Sequence, residues 1–232
     1  MALPHLTAHR EAALSALATA CVSPNQMTST EYMSIARVIA ARAPCAVLVY
    51  GVGNDSRLWL AANATEGDGG AAGVTVFHED VASWAAQISA AYPAMRIVQR
   101  TYGTTVDGST AALASGARLA LPPPAPPSPY TTWDVIIIDG PRGYLGTQPG
   151  REVPHAEAAA AVEAAKGSAK RVDVFVHDAD RALEHASMHA YLGERGGVLA
   201  TYERSAHWCF PVESTTSTST TTSTSTSTST SG

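Results

Sequence analysis

The sequence predicts an α/β domain: a mostly parallel sheet, covered by helices on both faces and closed by an antiparallel hairpin. Three observations carry that expectation. Short apolar runs rich in Val and Ile alternate with longer Ala-rich segments of helical period, the order that builds parallel sheets from strand–helix–strand units. The run at 133–144, WDVIIIDGPRGY, is a buried-type strand that delivers Asp139 directly into a Gly-Pro turn, at the carboxyl edge where open α/β sheets bind ligands. Near the C-terminus, two strand-like runs are separated by about four residues, 203–206, too few for a parallel crossover and enough for a hairpin.

Taken in order, residues 1–26 read as an N-terminal extension and 27–213 as the folded domain. A helix is expected over 29–42, with Ser29 or Thr30 as cap, leading through Pro44 into a strand at 45–50. A second strand at 74–78 precedes a helix at 81–92, and a third strand follows at 96–99. A helical segment at 109–121 runs into PPPAPPSP at 122–129, which must be an extended surface insertion because proline supplies no backbone donor. The fourth strand is 134–138, an Ala/Glu helix covers 156–165, the fifth strand is 172–176 and a helix spans 179–194. Strands at 198–202 and 207–212 make the closing pair, and the Ser/Thr tract 214–232 has no apolar residue to bury, so it is expected to be disordered. A terminal hairpin of this kind is the habit of Rossmann-like class I S-adenosylmethionine-dependent methyltransferases, with a mostly parallel seven-stranded sheet, rather than of nicotinamide dehydrogenases.

Composition narrows the function. With 15 Lys and Arg against 20 Asp and Glu, the net charge of -5 argues against nucleic acid, whose phosphates are held by clustered basic residues. The second half does gather Arg142, Arg151, Lys166, Lys170, Arg171 and Arg181, which fits either an anionic substrate or scattered solvated charges. Cys21, Cys45 and Cys209 are too widely spaced for zinc and odd in number, so two buried thiols and one near the surface are expected. No apolar run approaches the roughly 20 residues of a membrane span, and the first ten residues lack the pattern of a secretory signal.

The loop after the first strand, VLVYGVGNDS, offers Gly51 and Gly53 for close backbone approach to a ligand and sets Asp55 and Ser56 to start the next helix. It lacks the third glycine of a dinucleotide fingerprint, and by itself is equally a tight turn. The second strand ends in His78-Glu79-Asp80, about 26 residues past Gly53, where nucleotide-binding α/β folds accept ribose hydroxyls. Trp59 and Trp84 are expected to fill the core, and His155, His185 and His189 to lie at the surface.

Five segments in order, CAVLVYGVGNDSRLW (45–59), VFHED (76–80), WDVIIIDGPRGY (133–144), PGR (149–151) and VFVHDADR (174–181), resemble the plant polysaccharide-biosynthesis family of glucuronoxylan 4-O-methyltransferases and irregular-xylem-15-like proteins. The resemblance covers roughly residues 27–212 and includes His207-Trp208 and Pro211. It implies methyl transfer from S-adenosylmethionine to the 4-hydroxyl of glucuronic acid in a cell-wall polysaccharide, and a Golgi lumen setting, although the membrane anchor of the plant enzymes has no counterpart here. The alternative it allows is a non-catalytic protein of xylan deposition. Asn54 stands where the family has His, Gly140 where it has Ala, and His78 replaces one of its paired acids. Val49 also occupies the place where generic methyltransferases carry an acid, so the donor's amino group must be held by another residue or by backbone carbonyls.

Transfer from a sulfonium to a hydroxyl needs a base beside the acceptor. Asp139, His177, Asp178 and Asp180, at the ends of neighbouring strands, are the candidates. Asp139 is the first choice, with His177 or Asp178 assisting; the competing reading is that the latter two cap the next helix while Asp180 pairs with Arg181. Acids with a His could also bind a divalent metal. Arg142, Tyr144 and Arg151 belong to the long loop after the fourth strand, where an Arg can grip a glucuronate carboxylate and Tyr144 the sugar ring, or the Arg can pair with a nearby acid.

Overall fold

The computed structural model describes residues 6–24, 26–65, 73–168, 170–195 and 197–211. Strands β1 (Ala46–Tyr50), β2 (Val74–Glu79), β3 (Arg96–Gln99), β4 (Val135–Ile138), β5 (Val172–Val176), β6 (Val198–Tyr202) and β7 (Ser205–Phe210) form one seven-stranded sheet of order β3-β2-β1-β4-β5-β7-β6. All neighbours are parallel except β7, which runs antiparallel to both β5 and β6. This is the Rossmann-like class I methyltransferase fold with its terminal hairpin. The expected tail at 214–232 lies outside the described residues.

The central strands β1, β4 and β5 are buried throughout because both faces are covered, which is why they read as unbroken apolar runs. Val47, Val49, Val135 and Ile137 pack on one face against helices α1 (Ala8–Cys21), α2 (Ser29–Arg42) and α3 (Ser56–Ala62), with Ile88 of α4 (Ala82–Ala91). Leu48, Tyr50, Ile136 and Ile138 point the other way, toward α6 (Glu152–Ala165), α7 (Ala182–Tyr191) and the hairpin residues Trp208 and Phe210. Helix α5 (Val106–Ala114) lies over α7. Among the described residues no helix is long and apolar enough to cross a membrane.

Several boundaries moved for identifiable reasons. Helix α1 was not expected: it starts at Thr7, whose side chain accepts from the Arg10 N–H, and buries only Leu14, Ala18 and Cys21, too thin a stripe to stand out. Helix α5 begins three residues earlier than read, capped by Thr105, and ends before Gly116, whose φ of +82° suits a left-handed stop. Helix α6 also starts earlier, with Pro154 in the first turn where its missing N–H costs nothing. The hairpin turn is tighter than expected: Tyr202 pairs Ser205, leaving only Glu203, at φ +49°, and Arg204 between them. Proline segment 122–129 has no regular secondary structure and is strapped down by the Trp133 indole, which donates to the Pro124 carbonyl at 2.8 Å. His155 corrects another expectation: it is fully buried in α6, and burial, then Arg151, push it down to about 3, so it is a neutral core group. His185 and His189 are exposed and Cys21 and Cys45 buried, as read, with Cys209 intermediate.

Part of the basic group in the second half proves structural. At the amino edge of the sheet, Arg42 and Arg171 both pair with Asp173, which is fully buried and also meets His207 at 2.8 Å. Lys166 pairs with Glu163 within its own neighbourhood and Lys170 lies 3.8 Å from Asp134, leaving Arg142, Arg151 and Arg181 for the opposite edge.

Glu31 ties the first helices to the hairpin. It is 1% exposed and accepts from the Arg204 N–H at 3.0 Å, the Ser205 hydroxyl at 2.7 Å and the Thr28 N–H at 2.9 Å. Glu31→Ala is expected to destabilise the fold by about 3 kcal/mol, because three donors lose a charged acceptor inside the protein. Chemical denaturation checks this, and a loss below about 1 kcal/mol would show that the hairpin is held by other means.

Candidate active site

A cleft of about 240 Å³ opens over the carboxyl ends of β1, β2, β4 and β5. It sits where the strand order reverses between β1 and β4, the position at which open α/β sheets bind ligands. Gly51 has φ +103°, and a Cβ there would lie 3.3 Å from the Asp139 carbonyl carbon, so only glycine lets the β1 loop rest on the β4 loop.

One half of the cleft is acidic and its loop donors are already used. The Gly53 N–H donates to Ser56 Oγ at 3.0 Å and the Val52 N–H to Glu79 Oε2 at 3.1 Å, while Glu79 Oε1 accepts from Val81 at 2.9 Å. These amides are not presented as a cradle for a pyrophosphate. Burial raises both Glu79 and Asp80, and the Arg142 charge partly counters it. Trp59 is buried as expected, and its indole donates to Asp55 at 3.2 Å. Trp84 departs from expectation: it is partly buried, lines the cleft and donates to the Val52 carbonyl at 2.7 Å.

The other half is built by the turns after β4 and β5. His177 Nδ1 lies 2.8 Å from Asp139 Oδ1; a carboxylate only accepts, so the imidazole hydrogen sits on Nδ1 and the neutral ring keeps its lone pair on Nε2. Nε2 is buried and has no partner among the described residues. Burial opposes a charge on His177, but the hydrogen bond and charge of Asp139 outweigh it and raise the imidazole above its ordinary value. Asp139 moves the opposite way: burial would raise it, while His177, then Arg151, hold it below the usual carboxylate range. The electrostatics thus favour His177 over Asp139, the first choice read from sequence, as the proton acceptor of the pair. Of the two, Asp139 has the lower proton affinity and His177 the higher.

Arg151 borders the cleft but is turned to acceptors of the protein itself, the alternative that the sequence reading left open. It is 2% exposed, and its guanidinium donates to the carbonyls of Pro141 at 3.0 Å, His177 at 2.6 Å and Asp139 at 3.0 Å, and to Asp178 at 3.0 Å. Asp178, at φ +56°, is likewise committed: beside Arg151 it meets Arg181 at 2.6 Å and Arg204 at 2.5 Å. Asp180 lies outside the cleft lining and pairs with Arg204 at 3.3 Å rather than with Arg181. Arg142 and Tyr144 do reach the cleft and are exposed; the Arg142 side chain has no ion pair among the described residues, and the Arg181 guanidinium lies 4.8 Å from the Tyr144 ring centre.

Asp139, His177 and Asp178 each offer a ligand atom within 4.8 Å of the others. Three guanidinium groups already neutralise their two carboxylates, so this set does not fit a divalent cation. Sequence reasoning missed Tyr32, on α2 far from every motif, which lines the cleft and is driven upward by burial and by the Asp55 and Asp139 charges. It also missed Arg181 and Arg204 as partners of Asp178, for which no local spacing rule exists across 26 residues of chain in the second case.

Asp139→Asn removes the charge that sustains His177. The imidazole is expected to fall below the ordinary value of about 6.5, because burial is then opposed by the Asp178 charge alone, 3.7 Å away and already paired with arginines. NMR titration of His177 checks this, and an unchanged midpoint would show that the dyad does not govern the ring.

A family profile described as IRX15/IRX15L/GXM matches residues 30–120 and 110–204. Glucuronoxylan 4-O-methyltransferase 1 of Arabidopsis thaliana is 31% identical over 216 residues, 86% of this chain and 72% of that protein. Arabinogalactan O-methyltransferase 2 of the same plant is 30% identical, over 77% of this chain and 65% of its own length, and Protein IRX15-LIKE is 30% identical over 68% and 54%. Among solved structures, the C-terminal domain of precorrin-6Y C5,15-methyltransferase from Rhodobacter capsulatus covers 82% of this chain and 92% of its own, with a TM-score of 0.39 and 15% identity, too distant to argue from. On the profile match and the relatives' coverage, the chain belongs to the IRX15/IRX15L/GXM family.

Proposed function

We propose that the chain is an S-adenosylmethionine-dependent O-methyltransferase that modifies the 4-hydroxyl of glucuronic acid residues in a glucuronoxylan-like cell-wall polysaccharide. The observation that carries this reading is the Asp139–His177 dyad, with an unpartnered Nε2, at the junction of an acidic half-cleft and a rim bearing Arg142 and Tyr144. The acidic half suits a cationic sulfonium donor, and its occupied loop amides suit a dinucleotide poorly. The names of the methyltransferase relatives support the same substrate class.

When bound, the donor supplies an electrophilic methyl group to the acceptor oxygen. Glu79 and Asp80 accept from its ribose hydroxyls, and the Gly51–Gly53 loop allows close backbone approach. Nε2 of His177 takes the proton of the acceptor hydroxyl, and Asp139 holds the ring in the required tautomer and stabilises the imidazolium that results. Arg142 pairs with the uronate carboxylate, and Tyr144 gives the sugar ring a flat face to pack on.

Two measurements test this. His177→Gln is expected to lower methyl transfer to glucuronoxylan about 100-fold or more, while S-adenosylhomocysteine still binds within about 2-fold of wild type. An undiminished rate would remove His177 from the reaction, and failure of the folded wild-type protein to bind S-adenosylhomocysteine would remove the donor. Arg142→Lys keeps the charge but loses the two-donor plane, so the preference for glucuronoxylan over its carboxyl-reduced form is expected to fall. Equal transfer to both polymers by the unaltered protein would overturn the acidic acceptor.

A further inference from the structure

The acids of the cleft differ in what they are paired with. Asp139 and Asp178 are held by guanidinium groups, Glu79 by two backbone N–H groups, and Asp80 feels the charge of Arg142. Asp55 has no cationic partner of its own among the described residues. It occupies the cap position of α3 yet makes no capping bond, and its Oδ2 accepts from the Trp59 indole at 3.2 Å. Its Oδ1 lies 2.9 Å from the place a Cβ on Gly53 would take, so the glycine leaves room for the carboxyl beside the loop. The groups that face it are Asp139 at the end of β4, His177 at the end of β5, Tyr32 on α2 and Cys21 on α1. One of these, Asp139, is a carboxyl, and it and Asp55 disfavour each other's charge.

We propose that Asp55 anchors the ammonium of the donor's methionine moiety and gives up a proton when the donor binds. The assignment rests on the donor reading above and fills the gap left by Val49 at the end of β1. The exchange is balanced: a neutral carboxyl meets a ligand ammonium, becomes a carboxylate paired with it, and releases one proton to the buffer. Burial and then the Asp139 charge push Asp55 up to about 7 in the free protein, so a substantial share of molecules hold that proton at neutral pH. An arriving cation reverses the balance.

The probe is S-adenosylhomocysteine, titrated calorimetrically at pH 7 in buffers of different ionisation enthalpy, with methylthioadenosine, which lacks the ammonium, as the comparison ligand. S-adenosylhomocysteine is expected to release roughly half a proton on binding at pH 7, and its affinity to rise roughly 5- to 10-fold from pH 6 to pH 7.5. Methylthioadenosine should release none, and Asp55→Asn should abolish the release. If S-adenosylhomocysteine binds without proton release, or Asp55→Asn releases as much as wild type, the assignment of Asp55 is wrong while the donor reading stands. If it does not bind the folded protein at all, both fall. Should Asp55→Asn fail to fold, Asp139→Asn provides the same test: removing the neighbouring charge must shrink the release at pH 7 with binding retained, and an unchanged release overturns the proposal.

Discussion

The buried guanidinium of Arg151 is the constraint on which the rest of the site depends. A planar cation at 2% exposure survives only when its donors are met, and here they are met by three main-chain carbonyls and two carboxylates from the turns after β4 and β5. That single group fixes the spacing between the two turns. After the His177 hydrogen bond itself, it is the next largest influence keeping Asp139 ionised, and an ionised Asp139 sustains the raised proton affinity of His177. Arg181 and Arg204 continue the same logic outward, closing over Asp178 and anchoring the hairpin tip, which Glu31 grips from the other side.

The cleft is consequently divided by charge. Toward β2 the carboxyls of Asp55, Glu79 and Asp80 are not neutralised by a paired guanidinium, an environment that attracts a cation. Toward the loop after β4 the rim carries Arg142 and the Arg181–Tyr144 stack, an environment that attracts an acidic sugar. A donor and an acceptor of opposite charge would thereby be sorted to opposite walls, with the imidazole between them.

The fold was legible because it depends on local pattern. The unbroken apolar runs of β1, β4 and β5 and the short link before β7 sufficed for a mostly parallel sheet with a terminal hairpin. Helix α1 escaped because three buried positions in fourteen leave almost no periodic signal. At the site, the motifs placed Gly51, Glu79, Asp139 and His177 around one cleft at the carboxyl edge of the sheet. Their roles were not legible, since they are set by contacts between distant segments. Nothing in PGR at 149–151 indicates that Arg151 turns inward, and nothing around Asp139 indicates that three arginines and an imidazole would hold its neighbourhood so firmly.

The central claim is that the imidazole of His177, sustained by Asp139, is the group that takes the acceptor's proton. The most direct measurement is the pH dependence of single-turnover methyl transfer to a glucuronoxylan oligosaccharide with donor saturating. The account predicts a rate that rises with pH through an ionisation above about 6.5, the ordinary imidazole value, and then levels. A rate governed by an ionisation in the ordinary carboxylate range, near 4, would contradict it and return the role to Asp139.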